Sequence, residues 1–245
     1  MSQDFALCQR GGGFRLIRRR SATILMAILK IKNEHMNEHN YVFVHIPKTG
    51  GRSVLSAMNI KFHCEHKCIQ DYVKELGEDT VRNRFKFTIV RNPWSRAVSW
   101  YRFFYNPMPN EVPLTFDQWV LKGNKRNQIN PSMKRTKVPL DILSYCRNES
   151  GEILMDKFLK FETLSQDFVE IAERFNIPTM LPHIGKDEQS HHIQQKERMM
   201  KINKSGVTVP VEKSLNYRDL YISQESIDFI GNLNKELIDK FNYTF

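Results

Sequence analysis

Tyr41-Val42-Phe43-Val44-His45-Ile46-Pro47-Lys48-Thr49-Gly50-Gly51-Arg52-Ser53 is the stretch that decides the fold of this 245-residue chain. Residues 41–46 are rich in β-branched and aromatic side chains and read as a buried strand, which Pro47 ends. The loop 47–51 carries one lysine and two glycines. Val54, Leu55 and Met58 then supply the apolar face of a helix predicted over 52–59. A strand that passes through such a loop into a helix builds an anion cradle, because backbone N–H groups and the helix dipole both favour negative charge there. Lys48 adds a full charge. The segment points to a phosphorylated ligand.

The loop is not a Walker A site. That pattern, G-x-x-x-x-G-K-[ST], sets its lysine after the second glycine. Here Lys48 precedes both Gly50 and Gly51, and no glycine opens the loop. No later strand ends in the aspartate that an ATP- and Mg²⁺-dependent kinase would need.

A second strand–loop–helix follows. Residues 85–90 read as a strand, broken at Arg91-Asn92-Pro93, with Asn92 as helix cap and Pro93 as first helical residue. Along that helix Arg96 and Ser99 lie one turn apart on one face. With Arg91 they make a second anion site, in which an arginine and a hydroxyl converge on a monophosphate.

Outward from these segments, helices are expected at 69–76, stopped by Gly77, and from a capping box at Thr115-Phe116-Asp117-Gln118 to Gly123. Residues 153–161 read as a strand and 162–175 as a helix. A last helix starts near Ser223 and buries Ile227, Ile230, Leu233, Leu237 and Phe241. Strands alternating with helices give an α/β class: a P-loop-like three-layer domain whose central, mostly parallel sheet is flanked by helices. The domain is expected over 40–245. Residues 1–39 read as a weakly structured extension or an over-long start.

Composition narrows the partners. Net charge is +10, the pI is about 9.4 and mean hydropathy is −0.50. Such a balance suits anionic ligands, among them nucleotides, nucleic acid and sulfated glycans. Four scattered cysteines are too few for a disulfide scaffold. Without an apolar run of ~18–20 residues no membrane span is expected, and a cytoplasmic location is favoured. His63-Cys64-Glu65-His66-Lys67-Cys68 crowds four metal-type ligands into six residues, too tight for a structural zinc site, so no metal is expected.

The two segments together resemble the PAPS-dependent sulfotransferases of the carbohydrate sulfotransferase-like family, with their P-K-T-G-G-[TS]-S loop and R-N-P-x-x-R-x-x-S-x-Y segment. Phe161-Glu162-Thr163-Leu164 with Asp167-Phe168, Leu181-Pro182-His183-Ile184, Tyr217-Arg218-x-x-Tyr221 and Phe241-Asn242-Tyr243-Thr244-Phe245 extend the resemblance over about 41–245. Arg52 departs from it, standing where the family has a small hydroxylic residue, and Lys160 stands where arginine is usual. The resemblance implies that Lys48, Thr49, Gly50, Gly51, Arg52 and Ser53 hold the 5′-phosphosulfate of PAPS, that Arg91 and Ser99 hold its 3′-phosphate, and that PAP is the product.

The implied reaction is in-line displacement of the sulfuryl group onto a hydroxyl, for which a glycan is the expected acceptor and nucleic acid is not. As in phosphoryl transfer, the protein positions groups and stabilises charge on the leaving oxygen, a task suited to Lys48. Histidine is the usual base near neutral pH, and His66 is the candidate, ahead of His63; His45 is expected to pack or orient the loop, and His183 to border the site. The basic stretch 122–137 and the aromatic residues of 94–105 are further candidates for glycan recognition. A nucleotide or small-molecule kinase and a non-catalytic polyanion-binding protein are the alternatives.

Overall fold

The computed structural model describes residues 40–60, 66–104, 114–122, 139–182 and 216–245, with two short strands, β1 (Gln9–Arg10) and β2 (Gly13–Phe14), that pair antiparallel. The chain divides into two compact units, Met1–Val42 and Phe43–Phe245.

Three strands make the central sheet: β3 (Tyr41–Val44), β4 (Phe85–Val90) and β5 (Lys157–Lys160), in the order β3-β4-β5. The fold is α/β, with this parallel sheet flanked by helices, as the sequence predicts. β5 runs parallel to β4 in the register Phe87↔Lys157 to Val90↔Lys160. β4 is the central strand, and five of its six residues are buried. That burial on both faces is why 85–90 is β-branched or aromatic at every position but Lys86. The Phe43 and Phe87 rings stack 4.8 Å apart, and the buried Thr88 hydroxyl donates to the Val44 carbonyl at 2.7 Å.

Each strand feeds a loop and then a helix. β3 leads to α1 (Gly51–Ala57), and β4 to α4 (Pro93–Phe104). Between them α2 (Ile69–Leu76) ends at Gly77, in the left-handed region at φ 84°, as predicted. The short α3 (Glu78–Asn83) follows, an element the polar sequence does not announce. α5 (Phe116–Leu121) starts on the predicted capping box: Gln118 N donates to Thr115 Oγ1 at 3.3 Å, and Thr115 N to Gln118 Oε1 at 3.1 Å.

The strand predicted over 153–161 is shorter than expected. Ile153 bridges antiparallel to Arg147 instead, and the Asp156 carboxylate accepts from Lys86 N at 2.7 Å. Phe161–Thr163 form a single 3₁₀ turn that leads into α6 (Leu164–Phe175). The last predicted helix is two helices, α7 (Gln224–Leu233) and α8 (Lys235–Phe241). Asn234 breaks it. This residue is buried at 3% exposure; its Oδ1 accepts from Ile142 N (3.0 Å), and its Nδ2 donates to Ile230 O (3.0 Å) and Leu140 O (3.2 Å). The break corrects the expected apolar stripe: Ile230 and Leu237 are buried, whereas Leu233 is 40% exposed.

Trp94, Val98 and Tyr101 of α4 are buried. With Trp100 they are core, which corrects the reading of Trp94 and Tyr101 as a glycan platform. No helix among the described residues is long and apolar enough to cross a membrane.

Candidate functional site

The loop between β3 and α1 takes its shape from two left-handed residues. Gly50, the residue capping α1, sits at φ 88°. A side chain there would also crowd Leu164 and Phe161, whose nearest atoms lie 3.1 and 3.0 Å from an ideal Cβ. Lys48 adopts φ 66°, a conformation that costs a non-glycine residue ~1–2 kcal/mol. Thr49 is fully buried, and its hydroxyl donates back to Ile46 O at 2.8 Å. Its side chain therefore braces the loop from within. Ser53 N donates to Gly50 O at 3.1 Å, closing the first turn of the helix.

Gly51 fits for a different reason. An ideal Cβ on it would lie 2.1 Å from His45 Cδ2, so the helix start rests on the imidazole face. His45 is buried and stacks on Phe43 at 5.8 Å. Burial, then the neighbouring His66 and Arg52, push its pKa down to about 3. The imidazole is neutral and packs under the loop, one of the two roles expected of it.

The second segment closes on the first. Asn92 caps α4, its Oδ1 accepting from Ser95 N at 3.1 Å. Arg91, at the end of β4, donates through Nη1 to Lys48 O at 3.1 Å and through Nε to Ser95 Oγ at 3.0 Å. Its guanidinium lies 4.3 Å from the centroid of the Phe161 ring. Ser99 is half-buried on α4, two turns farther on.

Arg96 does not join Ser99 as an anion ligand. It is buried at 1% exposure, and its Nε donates to Pro47 O at 3.0 Å. Its Nη1 donates to Pro139 O (3.2 Å) and Leu140 O (3.4 Å). The face shared with Ser99 in the helical projection is a matter of backbone position, and the long side chain goes inward to backbone carbonyls.

Three cations crowd this loop. Burial is the main cause that lowers Lys48 to a pKa of about 8, and the charges of Arg91 and Arg52 add to it. Arg91 is lowered to about 10, chiefly by burial, with Glu162 opposing and Arg96 adding. Half-buried like charges held together destabilise one another, and a bound polyanion relieves that repulsion. The donor set is basic side chains and loop amides; it suits a phosphate- or sulfate-bearing ligand.

His66 packs against the same strand end. Its Nδ1 lies 3.2 Å from His45 O, and its ring meets His45 edge-on at 4.6 Å. A carbonyl only accepts, so Nδ1 carries the proton, and in neutral His66 the lone pair is on Nε2. His63 and His183, together with most of the basic stretch 122–137, lie outside the described residues, as do Cys64 and Glu65 of the zinc reading.

Glu162 ties the second segment down. Its Oε1 accepts from Asn92 N at 2.8 Å and its Oε2 from the Tyr243 hydroxyl at 3.1 Å, while Asn92 Nδ2 donates to Thr244 O at 2.8 Å. Burial beside that carboxylate raises the Tyr243 pKa above its ordinary value. Asp167 accepts from Lys160 N at 2.7 Å. The motifs around 161–168 and 241–245 thus serve to support the Arg91 turn. Sequence reasoning flagged them only by resemblance, because a carboxylate that accepts a backbone N–H leaves no spacing signature.

The sequence profile of the Sulfotransferase family matches residues 36–244. No curated protein and no solved structure matches the chain. A match over that span, taking in both strand–loop–helix segments and all three strands of the central sheet, leaves one assignment: the chain belongs to the Sulfotransferase family.

Proposed function

We propose that this sulfotransferase uses PAPS as donor and transfers its sulfuryl group to a hydroxyl, with a glycan as the acceptor class. The observation that carries the reading is the 3.1 Å bond from Arg91 to Lys48 O. It unites two anion-binding segments in one site, as a donor with phosphates at both its 5′ and 3′ positions requires. PAPS supplies the reactive sulfuryl group when bound.

The chain's own residues do the rest. Backbone amides of Thr49, Gly50, Gly51 and Arg52, with the Lys48 and Ser53 side chains, hold the phosphosulfate end, while the buried Thr49 hydroxyl, expected as a ligand, braces the loop instead; Arg91 and Ser99 hold the 3′-phosphate. Lys48, protonated below about pH 8, meets negative charge on the leaving oxygen. His66 accepts the acceptor hydroxyl's proton at Nε2, and the His45 carbonyl holds it in that tautomer.

Thermal shift and calorimetry with PAP, ATP plus Mg²⁺, and heparin test the donor. Stabilisation by PAP is expected. Stabilisation by ATP–Mg²⁺ without PAP would make the protein a kinase, and a response to heparin alone a polyanion binder. Transfer of labelled sulfate from PAPS to a panel of glycans and phenols tests the acceptor class.

A further inference from the structure

We infer that Arg96 is a positioning residue for the donor loop: buried behind it, Arg96 holds the Pro47 carbonyl and so sets the direction of the Lys48 N–H and side chain. The inference rests on the donor site proposed above.

Two peptide planes meet at the Lys48 Cα. Each is held by a different arginine from the 91–96 segment. Arg96 Nε bonds the Pro47 carbonyl of the first plane at 3.0 Å, and Arg91 Nη1 bonds the Lys48 carbonyl of the second at 3.1 Å. The angle between those planes is what φ and ψ of Lys48 describe, and φ is 66°. A lysine does not rest there unaided. The two bonds supply the restraint.

The same bonds aim the amides. A trans peptide is planar, with C=O and N–H pointing in opposite directions. A Pro47 carbonyl turned toward Arg96 sends the Lys48 N–H the other way, and a Lys48 carbonyl turned toward Arg91 does the same for the Thr49 N–H. Those two N–H groups and the Lys48 side chain are thereby oriented before a ligand arrives, and the cost of ordering them is met on folding rather than on binding.

Arginine is needed at 96 for its reach. Nε and Nη1 of one rigid fork bond carbonyls in two chain segments, Pro47 on one side and Pro139 and Leu140 on the other. A lysine offers one point charge on a flexible stem and cannot span both.

A double-mutant cycle read by PAP calorimetry well below the melting temperature tests this. Arg96→Lys is expected to weaken PAP binding on the order of tenfold in the parent protein, and by about threefold or less in a Lys48→Ala background, because most of its effect acts through the Lys48 side chain. Equal losses in the two backgrounds would overturn the inference, since a merely structural role is indifferent to the side chain at 48. Failure of the parent protein to bind PAP would instead overturn the donor reading. If Arg96→Lys does not fold, the parent protein decides by NMR. Coupling is reciprocal, so PAP must slow solvent exchange of the Arg96 Nε proton, and unchanged exchange would overturn the inference.

Discussion

Gly51 Cα lies against the His45 imidazole so closely that a methyl group on it would sit 2.1 Å from Cδ2. Strand end and helix start are in direct contact, with no room for a side chain between them. Gly51→Ala is therefore expected to destabilise the protein by ~1–3 kcal/mol through overpacking and to abolish PAP binding. Replacing the ring as well, in Gly51→Ala/His45→Ala, should restore part of the stability. Urea denaturation of the parent, Gly51→Ala, His45→Ala and the double variant measures both effects, and additive losses would mean that the contact is not the cause.

If Lys48 meets the donor as proposed, donor binding is expected to depend on pH in a defined window. Its pKa in the folded protein, about 8, lies below the ordinary 10.5. Between those values the unfolded chain binds more protons than the folded one, so the lysine's burial penalty is fully present below pH 8 and is relieved as pH rises toward 10.5. Binding runs the other way, because a polyanion favours the charged amine. PAP affinity should fall as pH rises through 8, with proton uptake on binding. Calorimetry at pH 8.5 in buffers of different ionisation enthalpy detects that uptake, and Lys48→Met should remove most of it.

His66 is expected to act on turnover and not on donor binding. His66→Ala should lower kcat by ~10²–10⁴ while PAP affinity stays within about twofold. Steady-state sulfate transfer and PAP titration of the same variant check this. A variant with normal kcat, or one that loses PAP affinity in step with kcat, would assign the imidazole to packing on His45.

Asn234 carries three buried hydrogen bonds at the α7–α8 break. Asn234→Leu keeps a similar volume but strands Ile142 N and leaves Leu140 O to Arg96 alone. A loss on the order of 2–4 kcal/mol in urea denaturation is expected, given ~1–3 kcal/mol for each buried polar group left unpaired. A change under about 0.5 kcal/mol would show that the helices break for another reason.

What could be read from the sequence divides along a physical line. β4 and α4 were legible to the residue because Asn92-Pro93 is both a strand stop and a helix start. The strand–loop–helix at 41–57 was legible because a β-branched run, a proline and two glycines mark the stop and the turn before an apolar helical face. Arg96 was misread because its partners are carbonyls 43 to 49 residues away, and every residue has a carbonyl. Asn234 was passed over for the same reason: apolar spacing continues across it, and only its distant partners interrupt the helix. β5 lost its first half to Asp156, a carboxylate whose partner is the N–H of Lys86, 70 residues earlier. Local periodicity reports which face is buried; it does not report where a polar side chain finds its partner.

The buried guanidinium of Arg96 also has a bearing on the order of assembly. A desolvated cation held by carbonyls of two remote segments has no favourable half-built state: with only Pro47 or only Pro139 and Leu140 in place, it is better off in water. Its insertion is therefore expected to come late, once both segments have docked on α4, so that the loop around Lys48 takes its final shape only in a chain whose packing is otherwise complete.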